Sequence, residues 1–271
     1  MTVRDAIQWV QEIIQPAALE EAQIQSKDLV SHVLGISRSR LFGRYQDSLT
    51  AEQEKELDSL ARMREQGKPL QYLIGEWAFM GFPFRVCPSV LIPRPETELL
   101  CEAAACRIKE SGFGNCLDLC CGSGCIGISL HKMTGICVTL SDISDAALRV
   151  AAENAARLHA DVEIIRSDLF SEIPGKYDLI VCNPPYLSER EMQDRQRELL
   201  YEPEIAFQGG RDGLDFYRRI SDQYQEHLHP KGVLMLEIGA SQSDAVCGIL
   251  PVKEIRKDYA GLPRLAIIEN E

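Results

Sequence analysis

The run Asn115-Cys116-Leu117-Asp118-Leu119-Cys120-Cys121-Gly122-Ser123-Gly124 decides the fold. Residues 115–119 have the character of a buried strand, the glycines that follow mark a tight turn, and a helix is expected from Gly124. Glycines at such a point let the backbone approach a ligand at a helix N-terminus. Downstream the same alternation repeats, with strands expected at 136–141, 162–165 and 177–182 and a helix at 145–158. A helix around 214–227, an apolar run at 233–238, a helix near 242–249 and strands near 252–256 and 265–269 complete it. Seven strands alternating with helices predict an α/β fold, a Rossmann-like doubly wound sheet with right-handed crossovers.

Upstream of this run the pattern is different. Ala6, Ile7, Val10, Ile13 and Ile14 fall at helical spacing and predict a helix that stops near Pro16. Leu29, Val30, Val33 and Leu34 repeat the pattern, with Gly35 as a C-cap. A third helix is expected from Thr50, with Gln53 reaching back to complete the cap, to Gly67 ahead of Pro69. Aromatic and β-branched residues then predominate, broken by Gly75, Gly81, Pro83, Pro88 and Pro93, as in a hairpin linker. Pro95 at a first helical position opens the next helix through Leu99, Leu100, Ala103 and Ala104. The expected organisation is a helical domain over 1–70, a β-hairpin linker over 71–95 and an α/β domain over 96–271.

Composition narrows the class. At 271 residues and 45% apolar, the chain buries a sizeable core. It has no apolar run approaching the roughly 18 residues of a membrane span, and Met1-Thr2-Val3-Arg4-Asp5 lacks a signal-peptide stretch. A cytoplasmic protein with no membrane partner is expected, and a monomer. The 10 cysteines are scattered, as free thiols in a reducing compartment would be. Cys116, Cys120, Cys121 and Cys125 cluster, but not as the C-x-x-C pairs of a zinc site, and small apolar packing is the expectation, with no metal. Of the net charge of −12, residues 1–95 carry 11 basic against 12 acidic residues and residues 96–271 carry 18 against 29. An α/β domain of that sign repels phosphate backbones, which argues against direct nucleic-acid binding.

In an open α/β sheet the ligand sits beyond the carboxyl ends of the strands, so four strand ends carry the candidate site. The first is the loop after Leu119, with Cys120, Cys121, Gly122, Ser123 and Gly124 as cofactor contacts. Asp142 is the second; it lies 18 residues after Gly124, near the spacing at which an acid accepts from ribose hydroxyls. Ser144 and Asp145 are better placed than Asp142 to cap the next helix. Ser167-Asp168-Leu169-Phe170 is the third: Asp168 suits an adenine amino group, with Leu169 or Phe170 over the ring, and Asp168 reads equally as a turn residue. The fourth, Asn183-Pro184-Pro185-Tyr186, is the most specific. Prolines have no N–H, so carbonyls there stay free; the Asn183 side-chain oxygen and the Pro184 carbonyl can accept both hydrogens of an NH2 group, with Tyr186 on its planar face. Glu237, near the end of the run 233–238, faces either the cleft or the interior.

The four stations together resemble the class I S-adenosylmethionine-dependent methyltransferases, and the Asn183–Tyr186 loop resembles their amino-methylating branch. The match narrows through Pro69–Trp77, Leu91–Glu98, Tyr201-Glu202-Pro203, Gly209–Leu214 and Asp258–Gly261, which are similar to the peptide-chain release factor glutamine methyltransferases, the HemK or PrmC family. The resemblance spans essentially the whole chain. It implies S-adenosyl-L-methionine as methyl donor, S-adenosyl-L-homocysteine as product, and as substrate the glutamine of the Gly-Gly-Gln loop of class 1 release factors, methylated on N5. It also implies that Cys120 to Gly124, Asp142, Leu169 and Asn183 contact the cofactor and that Asn183 to Tyr186 hold the glutamine. Cys120 departs from the family pattern, which commonly has glycine there.

An amide nitrogen is a poor nucleophile, so the site must align its lone pair with the methyl group; acceptors on its N–H bonds do this and favour the growing positive charge. The methylated amide cation sheds its proton readily and needs no dedicated base. The rival is a nucleic-acid amino methyltransferase using the same loop, with Arg190, Arg195, Arg197, Arg211, Arg218 and Arg219 gripping phosphates. Beyond enzymes, a nucleoside- or translation-factor-binding module is the other alternative.

Overall fold

The computed structural model describes residues 1–18 and 21–270. They form two compact units, residues 1–76 with 197–201, and residues 77–196 with 202–270.

In the first unit, helices α1 (Val3–Ala18), α2 (Ala22–Leu34), α3 (Ala51–Glu65) and α4 (Leu70–Ile74) enclose an apolar core including Ile7, Val10, Ile14, Leu29, Val30, Leu57 and Leu60. Helix α1 runs through Pro16 to Ala18, beyond the expected stop. A proline in the last turn forfeits one hydrogen bond without ending the helix there. Gly35 takes the left-handed C-cap of α2, and Thr50 and Gln53 close a capping box on α3. Residues 197–201 join this unit from far along the chain. The buried Arg64 donates to Gln25 Oε1 at 2.7 Å and pairs with Glu198, so its charge is matched out of water.

The second unit begins at Trp77, within a hairpin of β1 (Glu76–Phe79) and β2 (Phe82–Arg85) turned at Met80-Gly81 with both φ positive, the twist a two-residue hairpin loop requires. Helix α5 (Pro95–Ser111) starts at Pro95 as expected. There follow β3 (Asn115–Leu119), α6 (Cys125–Thr134), β4 (Cys137–Asp142), α7 (Asp145–Leu158), β5 (Val162–Arg166), β6 (Tyr177–Cys182), α8 (Glu189–Gln193), α9 (Asp215–Gln223), β7 (Leu228–Glu237), α10 (Ser243–Ile249), β8 (Glu254–Lys257) and β9 (Pro263–Glu269).

Seven strands form one sheet in the order β5-β4-β3-β6-β7-β9-β8. Strands β3 to β7 pair in parallel, and β9 runs antiparallel to both β7 and β8. Strand β7 begins five residues before the expected run. Its pairing with β6 jumps from Tyr177↔Leu228 to Leu179↔Val233, so the polar residues 229–232 are taken up in an irregularity that reads as a turn. Because the parallel strands are covered on both faces, their side chains supply two cores. Cys116, Leu179 and Val181 pack with Leu100, Ile126 and Leu148 on one face; Leu117, Leu119 and Ile180 pack with Tyr217, Ile220 and Val246 on the other. Chain order reverses between β3 and β6, which opens a crevice at their carboxyl ends.

Candidate functional site

That crevice is a cleft enclosing about 690 Å³, part of it open to solvent. Cys120 and Gly122 line it after β3, Asp142, Ile143 and Ser144 at the end of β4, Ser167, Asp168 and Leu169 after β5, and Asn183 and Pro185 after β6. Ser89, Val90 and Leu91 close another side, with Pro203, Ile205, Ala206 and Phe216. Leu91 and Pro203 fall within segments singled out in the sequence; Ser89, Val90, Ile205, Ala206 and Phe216 carry no motif, and only contacts between distant segments bring them to the site.

Backbone conformation shapes the loop after β3. Cys120, Gly122 and Gly124 all have positive φ, at 57°, 54° and 76°. At Cys120 a residue with a Cβ is strained by about 1–2 kcal/mol, a strain that the glycine implied here by the resemblance would not meet. A Cβ on Gly124 would stand 2.9 Å from Ile128 Cδ1 and 3.1 Å from Leu140 Cδ1, so this glycine lets α6 pack against the sheet. Cys121, Ser123 and Gly124 lie outside the cleft lining: the Cys121 thiol is in the core and the Ser123 side chain is buried. The cysteines are free thiols, and burial pushes Cys125 up to about 12, away from reactivity. Among the described residues no group of three or more His, Cys, Asp or Glu side chains converges as on a metal ion.

Asp142 ties two stations together. Its Oδ2 accepts from Gly122 N–H at 2.9 Å and its Oδ1 from Ser144 N–H at 2.9 Å, while Ser144 caps α7 by accepting from Ala147 N–H at 3.2 Å. Burial raises the Asp142 pKa against the pull of those N–H groups. Beneath it, Asp118 is fully buried; Oδ2 accepts from Gly127 N–H at 2.8 Å, Oδ1 has no partner, and burial pushes the carboxyl up to about 7. Leu169 lines the cleft with φ of 51°, its carbonyl accepting from Ser167 Oγ at 2.7 Å. Asp168 reaches the rim, where Arg219 donates to its Oδ1 at 2.7 Å.

The Asn183–Tyr186 loop is held from several sides. Leu187 N–H donates to Phe207 O at 2.8 Å, Gly209 N–H donates to Leu187 O at 2.8 Å, and Gln242 Nε2 donates to Tyr186 O at 2.8 Å. Asn183 Nδ2 donates to Thr97 Oγ1 at 3.3 Å. The Tyr186 hydroxyl donates to Glu237 Oε1 at 3.4 Å, and burial raises the phenol pKa. Glu237 is therefore interior, under the tyrosine; burial pushes it up to about 7 although Thr97, Arg264 and Tyr186 favour its charged form.

Three of the segments noted in the sequence, 91–98, 201–203 and 209–214, engage this loop or one another. Glu202 accepts from Ile92 N–H at 2.9 Å and pairs with Arg94, which joins the segment 201–203 to 91–98. Gly213 leaves room for the Tyr186 carbonyl, which a Cβ would approach to 2.4 Å. Asp258 accepts from Ala260 N–H and Leu262 N–H and from Arg264 Nε at 3.0 Å, setting the turn before β9. No local sequence signal pairs Thr97 and Glu237 with Asn183 and Tyr186, because one looks like an ordinary first-turn residue of α5 and the other like strand. Of the arginines a phosphate grip would use, Arg195 pairs with Glu204, Arg218 with Asp212 and Asp215, and Arg219 with Asp168.

Residues 96–204 match the family model described as Methyltransferase small domain, and residues 5–75 match that described as PrmC N-terminal domain. The chain is 38% identical over 280 residues to the release factor glutamine methyltransferase of Koribacter versatilis, covering 98% of each chain. It is 37% identical to the release factor glutamine methyltransferase of Cereibacter sphaeroides, covering 100% of this chain and 95% of the relative. Among solved structures, a Pyrococcus furiosus methyltransferase aligns with a TM-score of 0.53 at 16% identity over 81% of this chain and 98% of that one. The 16S rRNA N2 G1207 methyltransferase of T. Thermophilus, in complex with AdoMet and guanosine, aligns with a TM-score of 0.54 at 17% identity over 72% of this chain and 50% of that one. These two share its fold. Among the described residues no helix is long and apolar enough to cross a membrane.

Proposed function

This chain belongs to the release factor glutamine methyltransferase family, and on that footing we propose that it methylates N5 of the Gly-Gly-Gln glutamine of class 1 release factors, modulating translation termination. The donor is S-adenosyl-L-methionine and the product S-adenosyl-L-homocysteine. One observation carries the reading: Asn183 reaches the wall of the cleft while its N–H is engaged by Thr97, so its oxygen is the end left to accept from a substrate.

The cleft suits the donor. An acid stands at the end of β4 for ribose hydroxyls, and Ile143, Leu169, Ala206 and Phe216 offer apolar walls to a flat base. When bound there, S-adenosylmethionine supplies an electrophilic methyl group. Asp142 would hold the ribose, with Cys120 to Gly124 carrying the backbone past the methionine part. Asp168 is engaged with Arg219 at the rim and would take the adenine amino group through its second oxygen. Asn183 Oδ1 and the Pro184 carbonyl would accept the two N–H bonds of the glutamine amide, aligning its lone pair and favouring the charge that grows on nitrogen. The buried Pro184 and Pro185 keep that loop rigid, and Tyr186 would pack on the amide plane. The proton of the methylated amide leaves without a dedicated base. The helical unit, residues 1–76 with 197–201, would serve in substrate recognition.

The test is transfer of labelled methyl from S-adenosylmethionine to purified release factor, its Gln→Ala variant, duplex DNA and RNA in parallel, with wild-type enzyme and Asn183→Ala. Label on the intact release factor alone, lost with Asn183→Ala while S-adenosylmethionine still binds, is the expected result. Label on DNA or RNA would replace the substrate, and near-normal turnover by Asn183→Ala would remove the clamp.

A further inference from the structure

We propose that Thr97 and Glu237 are positioning residues that determine which end of the Asn183 amide faces the methyl-transfer centre. This rests on the clamp reading above and deepens it. An asparagine side chain has an acceptor end and a donor end of nearly the same shape, and half a turn about its last bond exchanges them. The clamp works with the oxygen outward only. With the NH2 outward, Asn183 would present donors to the donors of the glutamine amide.

Thr97 Oγ1 is the observed partner of Asn183 Nδ2, at 3.3 Å. A hydroxyl alone does not settle the direction, because it can accept from Nδ2 or donate to Oδ1 equally well. What settles it is the destination of the Thr97 hydrogen. Thr97 is 3% exposed, so water is not that destination. The acceptor beside it is the Glu237 carboxylate, also 3% exposed, whose charged form the Thr97 hydroxyl favours. Oε1 of that carboxylate takes the Tyr186 hydroxyl at 3.4 Å, and Oε2 is buried with no hydrogen-bond partner. An orphaned acceptor and an uncommitted donor hydrogen thus belong to the same buried network, and pairing them would remove the cost of leaving either unmet.

In its ionised form, which Thr97, Arg264 and Tyr186 favour against burial, the Glu237 carboxylate only accepts, so the direction propagates. Glu237 makes Thr97 the donor, Thr97 then has only lone pairs for Asn183, and Asn183 must turn its NH2 inward and its oxygen to the cleft. The same carboxylate receives Tyr186, so one group at the end of β7 orients both ends of the Asn183–Tyr186 loop. Three segments far apart in sequence, at 97, 183–186 and 237, act as one polar network.

The experiment is steady-state transfer from S-adenosylmethionine to purified release factor by wild type, Asn183→Ala, Thr97→Val, Thr97→Ser and Glu237→Gln, with calorimetric S-adenosylmethionine binding for each. Valine keeps the shape of threonine without its hydroxyl, and glutamine keeps the shape of Glu237 but also donates. Both are expected to lower kcat about tenfold or more, with the KM for S-adenosylmethionine within about threefold of wild type. Thr97→Ser, which keeps the hydroxyl, is expected to recover most of the lost rate. A Thr97→Val enzyme with kcat within about twofold of wild type would overturn the relay, as would a Thr97→Ser enzyme as defective as Thr97→Val. Should Thr97→Val fail to bind S-adenosylmethionine, Glu237→Gln decides by the same criterion. If Asn183→Ala is inactive and Thr97→Val normal, the relay falls and the clamp stands; if Asn183→Ala is itself normal, both fall.

Discussion

Replacing Gly209 by alanine tests whether the Asn183–Tyr186 loop must sit where it does. A Cβ at Gly209 would stand 2.8 Å from Tyr186 Cα, 2.9 Å from Pro185 O and 2.9 Å from Tyr186 C. All three are backbone atoms, so no rotamer change relieves the overlap. Residue 209 cannot retreat either, since its N–H donates to Leu187 O at 2.8 Å and its carbonyl accepts from Asp215 N–H at 3.1 Å. Ordinary van der Waals contact therefore requires the loop to move by ~0.5 Å. If a 1 Å misplacement of reacting groups costs about 100-fold, a shift of that size lowers kcat about tenfold. The overpacking costs about 1–3 kcal/mol of stability, which a melting curve reports separately. The assay is saturation kinetics of methyl transfer to release factor, with calorimetry showing S-adenosylmethionine affinity within about threefold of wild type. A kcat within about twofold of wild type would refute the reasoning, because the loop would then tolerate displacement and its geometry could not be what drives the reaction.

Asp142→Ala removes the acceptor of both Gly122 N–H and Ser144 N–H as well as the proposed ribose contact, and is expected to weaken S-adenosylmethionine binding at least about tenfold; unchanged affinity by calorimetry would count against the ribose role. Asp118, pushed up to about 7 by burial, binds a proton in the folded chain that the unfolded chain has released above its ordinary 3.8. Its contribution to stability is therefore fully present below about pH 4 and lost as pH rises through about 7. Asp118→Asn, which keeps an acceptor for Gly127 N–H but does not titrate, is expected to show a flatter melting temperature between about pH 5 and 8 than wild type; equal slopes would assign the pH dependence to other groups.

Much of this was legible in the chain alone. Periodicity placed β3, β6 and α7 at the residues observed, because a strand buried on both faces and a helix with a defined cap carry their boundaries in short-range chemistry. The glycine loop, Asp142, the segment 167–170 and Asn183-Pro184-Pro185-Tyr186 are nominated by a related reason: strand ends of an open sheet are where ligands sit, and each candidate lies at or directly after the end of a strand. Boundaries set by packing were read less well. Helix α1 passes Pro16 and β7 starts at Leu228, both decided by neighbours rather than by local preference.

What only the tertiary structure decided is which groups meet and which way their hydrogen bonds run. Composition and spacing can nominate Asn183 as a clamp, but not say which end of its amide faces out. In the proposed relay it depends on Thr97, 86 residues before Asn183, and on Glu237, 51 residues after Tyr186. Burial, which pushes Asp118 and Glu237 up to about 7, likewise has no local signature. Local sequence encodes backbone preference and side-chain chemistry; the pairing of a donor with an acceptor, and the low-dielectric surroundings that make that pairing obligatory, arise only when the sheet brings distant strand ends together.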